Sequence, residues 1–194
     1  MPNIILASNS PRRKELLTMA GIQFSVQSKN VDEVHPEGAS FEEIPLLLAK
    51  KKAHVFSSEI TEDDIVIGAD TVVILNNKIY EKPTDRDDSI RMLRELCGNT
   101  HTVVTGVCIF SKQREVSFSK STQVTFNQLT IEEITFYVDN YKPYDKAGSY
   151  ACQEWIGAVA ISKFEGDYFN VVGLPVNEVY KVLKENFGVQ LPHF

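Results

Sequence analysis

The chain begins with an apolar run at 4–7, which predicts a buried strand, and turns polar at Ser8, Asn9, Ser10, Pro11, Arg12 and Arg13. Residues 14–20 read as a helix closed by Gly21, with Ser10 placed to cap it and Pro11 at its first position. Alternation over 22–26 predicts a half-buried strand, and the acidic stretch 30–38, with its Pro and Gly, a loop. Ser40 and Glu43 have the spacing of a capping box, so a helix is expected from there. It sets Ile44, Leu47, Leu48 and Val55 near one face and runs Lys50, Lys51 and Lys52 across the turn. The apolar run 65–69 predicts a central strand that ends in Asp70 and Thr71 and continues over 72–75, with a hairpin turn at Asn76 and Asn77.

Thr84 is placed to cap a helix over 85–97, with Ile90, Met92, Leu93 and Leu96 as its apolar set and Gly98 as its stop. Residues 101–110 and 115–126 predict two long strands around a polar turn. Thr130 and Glu133 form a second capping box, ahead of an amphipathic helix over 131–138. The stretch 144–157, rich in Gly and polar residues, has no clear period and is expected to line a site. Residues 158–161 and 168–172 read as strands, and the last helix runs from near Pro175 to Gly188. Strands and helices interleave without an internal repeat or low-complexity linker, so the class is α/β with a mixed sheet.

At 194 residues, with 43% hydrophobic and 24% charged, the chain suits one sizeable domain or one domain with two lobes. A net charge of −6 argues against a general nucleic-acid surface but not against a small basic pocket. Cys97, Cys108 and Cys152 are odd in number and lack C-x-x-C spacing, which argues against a disulfide framework or a structural zinc and fits a reducing compartment. No signal-peptide pattern and no membrane-length apolar run is present, so a cytoplasmic protein without a membrane partner is expected.

The segment from Ser8 to Arg13 joins a strand end to a helix start and supplies hydroxyls, free backbone N–H groups and two guanidinium groups, a combination suited to an anion. The plain alternative is a capped helix with two solvated arginines. Asp70 follows an apolar strand, where a carboxylate can hold a hard cation, accept a proton from water, or cap a turn. Glu33 is either a second carboxylate for the same cation or a solvated loop residue. Lys82, ahead of Pro83, and Lys52, on its helix, can each reach a phosphate. Asp145, Lys146, Ala147 and Gly148 read as a charged turn, with Tyr150 and Gln153 beyond it able to hold a planar ring. There is no P-loop, G-x-G-x-x-G, G-x-S-x-G or H-E-x-x-H motif, and no local support for a nucleophilic cysteine. His35, His54, His101 and His193 are expected to be surface or packing residues.

Taken in order, these pieces resemble the Maf family of nucleoside triphosphate pyrophosphatases. The matching residues run from Leu6 to Arg13, then Glu33, 48–53, 67–72, Lys82 and Pro83, and 105–107. They continue through 145–150, Gln153, 166–168 and 170–175. The resemblance implies a single two-lobed domain over 1–194, with an elongated mixed twisted sheet, flanking helices and a central cleft like that of the inosine-triphosphate pyrophosphatases. It implies release of pyrophosphate from a nucleoside triphosphate, a divalent cation (Mg or Mn), and a homodimer. Asp145-Lys146-Ala147-Gly148, an aromatic residue and Gln153 look like the branch that acts on dTTP and UTP. Within that branch Gly-Ile-Gln-Gly is common, whereas here the residues are Ala151, Cys152, Gln153 and Glu154, with one extra residue before the next strand.

The resemblance implies that Glu33 and Asp70 hold the metal and that Asp70 activates the water. Ser8, Arg12, Arg13, Lys52 and Lys82 face the triphosphate, with Ser10 and Lys146 as further substrate contacts, and Thr71 and Gln153 face the base. Two other functions use the same residues: a nucleotide-binding regulator of division without turnover, and a nucleotidyltransferase.

Overall fold

In a computed structural model that describes residues 2–34 and 38–190, the first apolar run forms β1 (Asn3–Leu6). His35 and His193 lie outside the described residues. Ser10 and Pro11 start α1 (Pro11–Met19) as expected. Only the end of the alternating stretch pairs with β1, as the parallel β2 (Ser25–Val26). The helix expected from Ser40 begins later, as α2 (Ile44–His54). Half of its capping box is made, Ser40 N–H donating to Glu43 at 2.9 Å, but the Glu43 N–H goes to the Ser40 carbonyl and holds 40–43 as a turn. Ile44, Pro45, Leu48, Ala49 and Ala53 are buried, while Leu47 faces water.

Residues 64–75 form one strand, β3 (Asp64–Leu75), so Asp70 and Thr71 sit within it rather than at its end. Both are half-buried between fully buried stretches. Residues 64–67 pair parallel with β1, and 73–75 pair antiparallel with β4 (Lys78–Tyr80). Asn76 and Asn77 take φ of 51° and 56°, the left-handed pair of a tight hairpin turn. Next come α3 (Arg86–Leu96), β5 (Thr100–Phe110), β6 (Glu115–Phe126) and α4 (Ile131–Tyr141). Asp85, not Thr84, caps α3, accepting from Asp88 N–H at 2.8 Å. Thr130 and Glu133 make their full capping box.

Two apolar runs read as strands are helical. Residues 158–160 end α5 (Trp155–Ala160), and the strand there is β7 (Ile161–Glu165). Residues 168–172 form α6 (Tyr168–Val172), which Asp167 starts by accepting from Phe169 N–H at 2.8 Å. A short apolar run fits either element, and local turn chemistry decides. The last helix is α7 (Val176–Phe187), stopped by Gly188 at φ 65°.

The sheet is mixed, in the order β2-β1-β3-β5-β6-β7 with β4 on β3, and helices flank it. The chain divides into two compact units, one drawn from Met1–Asp70, Thr105–Lys120 and Gly173–Phe194, the other from Thr71–Val104 and Ser121–Val172. In the first unit α2 lies backbone-to-backbone on the sheet. A Cβ on Gly68 would meet Ala49 O at 2.3 Å and Ala53 N at 2.9 Å, and one on Gly106 would meet Leu46 N at 2.3 Å. Ala49 and Ala53 complete the contact, in a core with Ile5, Ala7, Phe56, Ile60, Val66 and Cys108.

Even a methyl group cannot fit at Gly68 without moving the helix. Gly68→Ala is expected to lower stability by roughly 1–3 kcal/mol, the usual cost of overpacking, read from the midpoint of urea unfolding. An unchanged midpoint would show that α2 is free to shift.

Candidate functional site

Side chains two apart on a strand share a face. The close approach at Gly68 therefore turns Asp70 toward the side on which α2 lies, and the last turn of α2 presents Lys52 there. The Lys52 ammonium sits 2.6 Å from Asp70 Oδ1 and 2.6 Å from Glu33 Oε1. Lys52 and Asp70 are mostly buried, at 16% and 14% side-chain exposure, whereas Glu33 is half open at 52%. Two carboxylates from distant parts of the sequence thus converge on one cation. The neighbouring lysines are also engaged: Lys51 donates to the Asp32 carbonyl and Lys50 pairs with Glu115.

The segment after β1 adds the second half of this site. Ser8 is buried, and its Oγ accepts from Ser10 N–H at 3.2 Å and from Arg13 Nη1 at 3.2 Å. Arg13 Nε donates to the Gly173 carbonyl at 2.8 Å. Burial pushes the Arg13 pKa down, and the charges of Asp70 and Glu33 oppose that shift while Arg12 adds to it. The guanidinium is therefore within electrostatic reach of the two acids and stays charged. Ser10 holds the N-cap position of α1, yet its hydroxyl makes no cap hydrogen bond. The positive end of the α1 dipole lies beside Ser8 and the two arginines, which suits an anion. Ser8, Arg12, Arg13, Glu33, Lys52 and Asp70 all belong to the first unit.

Thr71, Lys82, Lys146 and Gln153 belong to the second unit. Thr71 is half-buried in β3, and Lys82 is exposed in the bend after β4. Gln153 is exposed, with Cys152 Sγ 3.7 Å from its carbonyl oxygen. Lys146 is buried and lies between two acids, 2.7 Å from Asp145 and 3.5 Å from Glu154. Glu154 in turn accepts from the Tyr137 hydroxyl, which accepts from Ala151 N–H at 3.2 Å. Burial and the Glu154 carboxylate both push the Tyr137 pKa upward, so it stays a hydrogen-bond donor.

The Tyr137–Glu154 arm and the Gly173 carbonyl are the partners that sequence reasoning missed. The one available signal was Glu154, where the resemblance leads one to expect glycine. Tyr150, expected to hold a ring, is instead a core residue. It is buried, its hydroxyl lies 2.7 Å from His101 Nε2, and its ring packs edge-on against Phe126. His101 is a packing residue, as expected, and its Nδ1 is buried with no hydrogen-bond partner among the described residues.

The family model described as Maf-like protein matches residues 3–186. A dTTP/UTP pyrophosphatase of Bacteroides fragilis is 47% identical over 183 residues, spanning 94% of this chain and 95% of its own length. One from Porphyromonas gingivalis is 48% identical over 188 residues, spanning 95% and 94%. Among solved structures, the Staphylococcus aureus Ham1 protein superposes on 64% of this chain and 71% of its own at a TM-score of 0.44 and 18% identity.

Burial lowers the pKa of His101 from 6.5 to about 4. The unfolded chain therefore takes up its proton first as pH falls, and folding stability is lost between those two values, at up to about 1.4 kcal/mol per pH unit. Above that window the neutral imidazole adds no pH dependence. The stability difference between the natural chain and His101→Gln is expected to shrink by roughly 1 kcal/mol from pH 6 to pH 5, measured by urea unfolding at each pH. A difference that stays constant would mean that His101 accepts a proton in the folded state.

Proposed function

The chain belongs to the Maf-like protein family, and from that membership and the charged site of its first unit we propose that it is a nucleoside triphosphate pyrophosphatase acting on dTTP and UTP, the nucleotides for which its relatives are named. The observation that carries this reading is the convergence of Glu33 and Asp70 on the Lys52 ammonium, within electrostatic reach of Arg13. Two acids side by side serve a reaction at phosphate better than simple binding of a polyanion, which they would oppose.

In this mechanism a water oxygen attacks the α-phosphorus. The bond from the α-phosphorus to the bridging oxygen breaks, and pyrophosphate leaves with the electron pair. Asp70 accepts the proton of the water. Ser8, Arg12, Arg13 and Lys52 neutralise the triphosphate and the departing pyrophosphate, and the positive end of the α1 dipole, beside Ser10, adds to this. Thr71 and Gln153 are the candidates for the base.

The donor set fits a hard divalent cation, Mg²⁺ or Mn²⁺: two carboxylates already share one positive charge, that of Lys52. Glu33 and Asp70 would hold such a cation. When bound, it supplies charge neutralisation at the phosphate oxygens and a more acidic water. The Lys52 ammonium, no longer needed between the acids, is then available to the phosphates. A homodimer is the assembly expected of such an enzyme.

Incubation with dTTP, UTP, CTP, GTP and ATP plus Mg²⁺ tests the reaction. Monophosphate and pyrophosphate from dTTP and UTP, with no acceptor present, are expected. Binding without products points to a regulator, and product only with an acceptor points to a nucleotidyltransferase. In the same assay Asp70→Asn is expected to lower turnover by about 10²–10⁴-fold, and near-normal turnover would remove Asp70 as the base. Gln153→Ala is expected to change the ratio of pyrimidine to purine hydrolysis more than the maximal rate. If all substrates slow equally, Gln153 does not read the base.

A further inference from the structure

His54 in the last turn of α2, Cys108 on β5 and Glu115 at the start of β6 bring a nitrogen, a sulfur and a carboxylate oxygen within 4.8 Å of one another. We propose that these three side chains form a second metal site, for a thiophilic divalent cation such as Zn²⁺, separate from the Glu33 and Asp70 pair.

The fold builds the cluster from three elements of the first unit. Cys108 and Phe110 are two apart on β5 and share a face. Ser111 N–H donates to Arg114 O at 2.8 Å and closes the turn that returns the chain as β6, whose first residue is Glu115. His54 lies over this corner, its ring 4.4 Å from that of Phe110 and its Nε2 2.7 Å from Glu115 Oε2. Cys108 forms the floor of the corner, fully buried in the core beneath α2. His54 and Glu115 are open to water, so a fourth position is left for solvent.

The donor chemistry selects the metal. Thiolate, imidazole and carboxylate together suit a borderline cation with three protein ligands and one open position. Mg²⁺ and Ca²⁺ would require oxygen throughout. Burial pushes the Cys108 thiol up to about 12, so it is protonated until a metal arrives. Binding forms the metal–sulfur bond and releases one proton to solvent, and thiolate plus carboxylate then balance the two positive charges. Lys50 is the built-in competitor. Its ammonium lies 3.2 Å from Glu115 Oε1, and it must turn toward solvent for the metal to enter.

Titration of the full chain with Co²⁺, in the absence of nucleotide and Mg²⁺, tests the site without reference to catalysis. The expected result is a thiolate-to-cobalt charge-transfer band that saturates at one equivalent and is erased by Zn²⁺. The band should persist in Asp70→Asn and disappear in Cys108→Ser. His54→Ala, a change at an exposed position, should weaken binding by at least about tenfold, and Lys50→Gln should tighten it. Absence of the band at excess Co²⁺, or an unchanged band in a folded Cys108→Ser protein, would overturn the proposal.

Discussion

The contact between α2 and the sheet at Gly68 and Gly106 is the constraint on which the first unit depends. At those positions a helix backbone rests directly on strand backbone. No side chain separates the layers, so α2 cannot slide or roll without a clash. The spacing of strand and helix residues then transmits this contact outward. Asp70 follows Gly68 by two residues and shares its face, and Lys52 lies on the helical turn that follows Ala49. The 2.6 Å contact between them is a consequence of packing two glycines away from the charges. His54, in the same turn, is aimed at Glu115 by the same seating of the helix.

Charge explains why such a seat is worth keeping. The protein carries a net −6, and its fixed positive charges must converge if it is to hold a triphosphate. Lys52 and Arg13 do converge, but on two acids. A partly buried ammonium between two carboxylates costs desolvation that the pairing largely offsets. This arrangement stores both signs of charge at one place. A site made only of Lys and Arg would bind phosphate more simply and would leave no group to take a proton from water.

Much of this was legible in the sequence, and the failures have physical reasons. Long periodic elements such as α4, α7, β5 and β6 were readable because caps, stops and apolar spacing agree. Asp70 was identified, but as a strand terminus, because an acid after five apolar residues resembles an end. A half-buried position with a lysine opposite lets the strand continue through it, and that lysine is 18 residues away in the chain. Thr84 lost its capping role to Asp85, and 168–172 became a helix, because neighbouring Asp side chains supplied the turn. Gly68 was read only as one position of an apolar strand and of a family motif. What a glycine touches is a property of the packed layers, and nothing in its neighbours' identities shows which backbone will lie against it. The Ser8, Arg13 and Gly173 contact is invisible for the same reason, with 160 residues between the arginine and its carbonyl partner.

Lys146 shows how the same residue type can be set to a different task in the second unit. Lys52 lies between Glu33 and Asp70. Lys146 is buried between Asp145 and Glu154, and Glu154 is itself tied to Tyr137, whose hydroxyl is anchored to the backbone at Ala151. A lysine held this way has most of its charge answered from within the protein. It presents a directed N–H donor and a reduced positive field. Asp145 and Glu154 together make this so. Glu154 thus acts on Lys146, fixing its ammonium from one side as Asp145 does from the other.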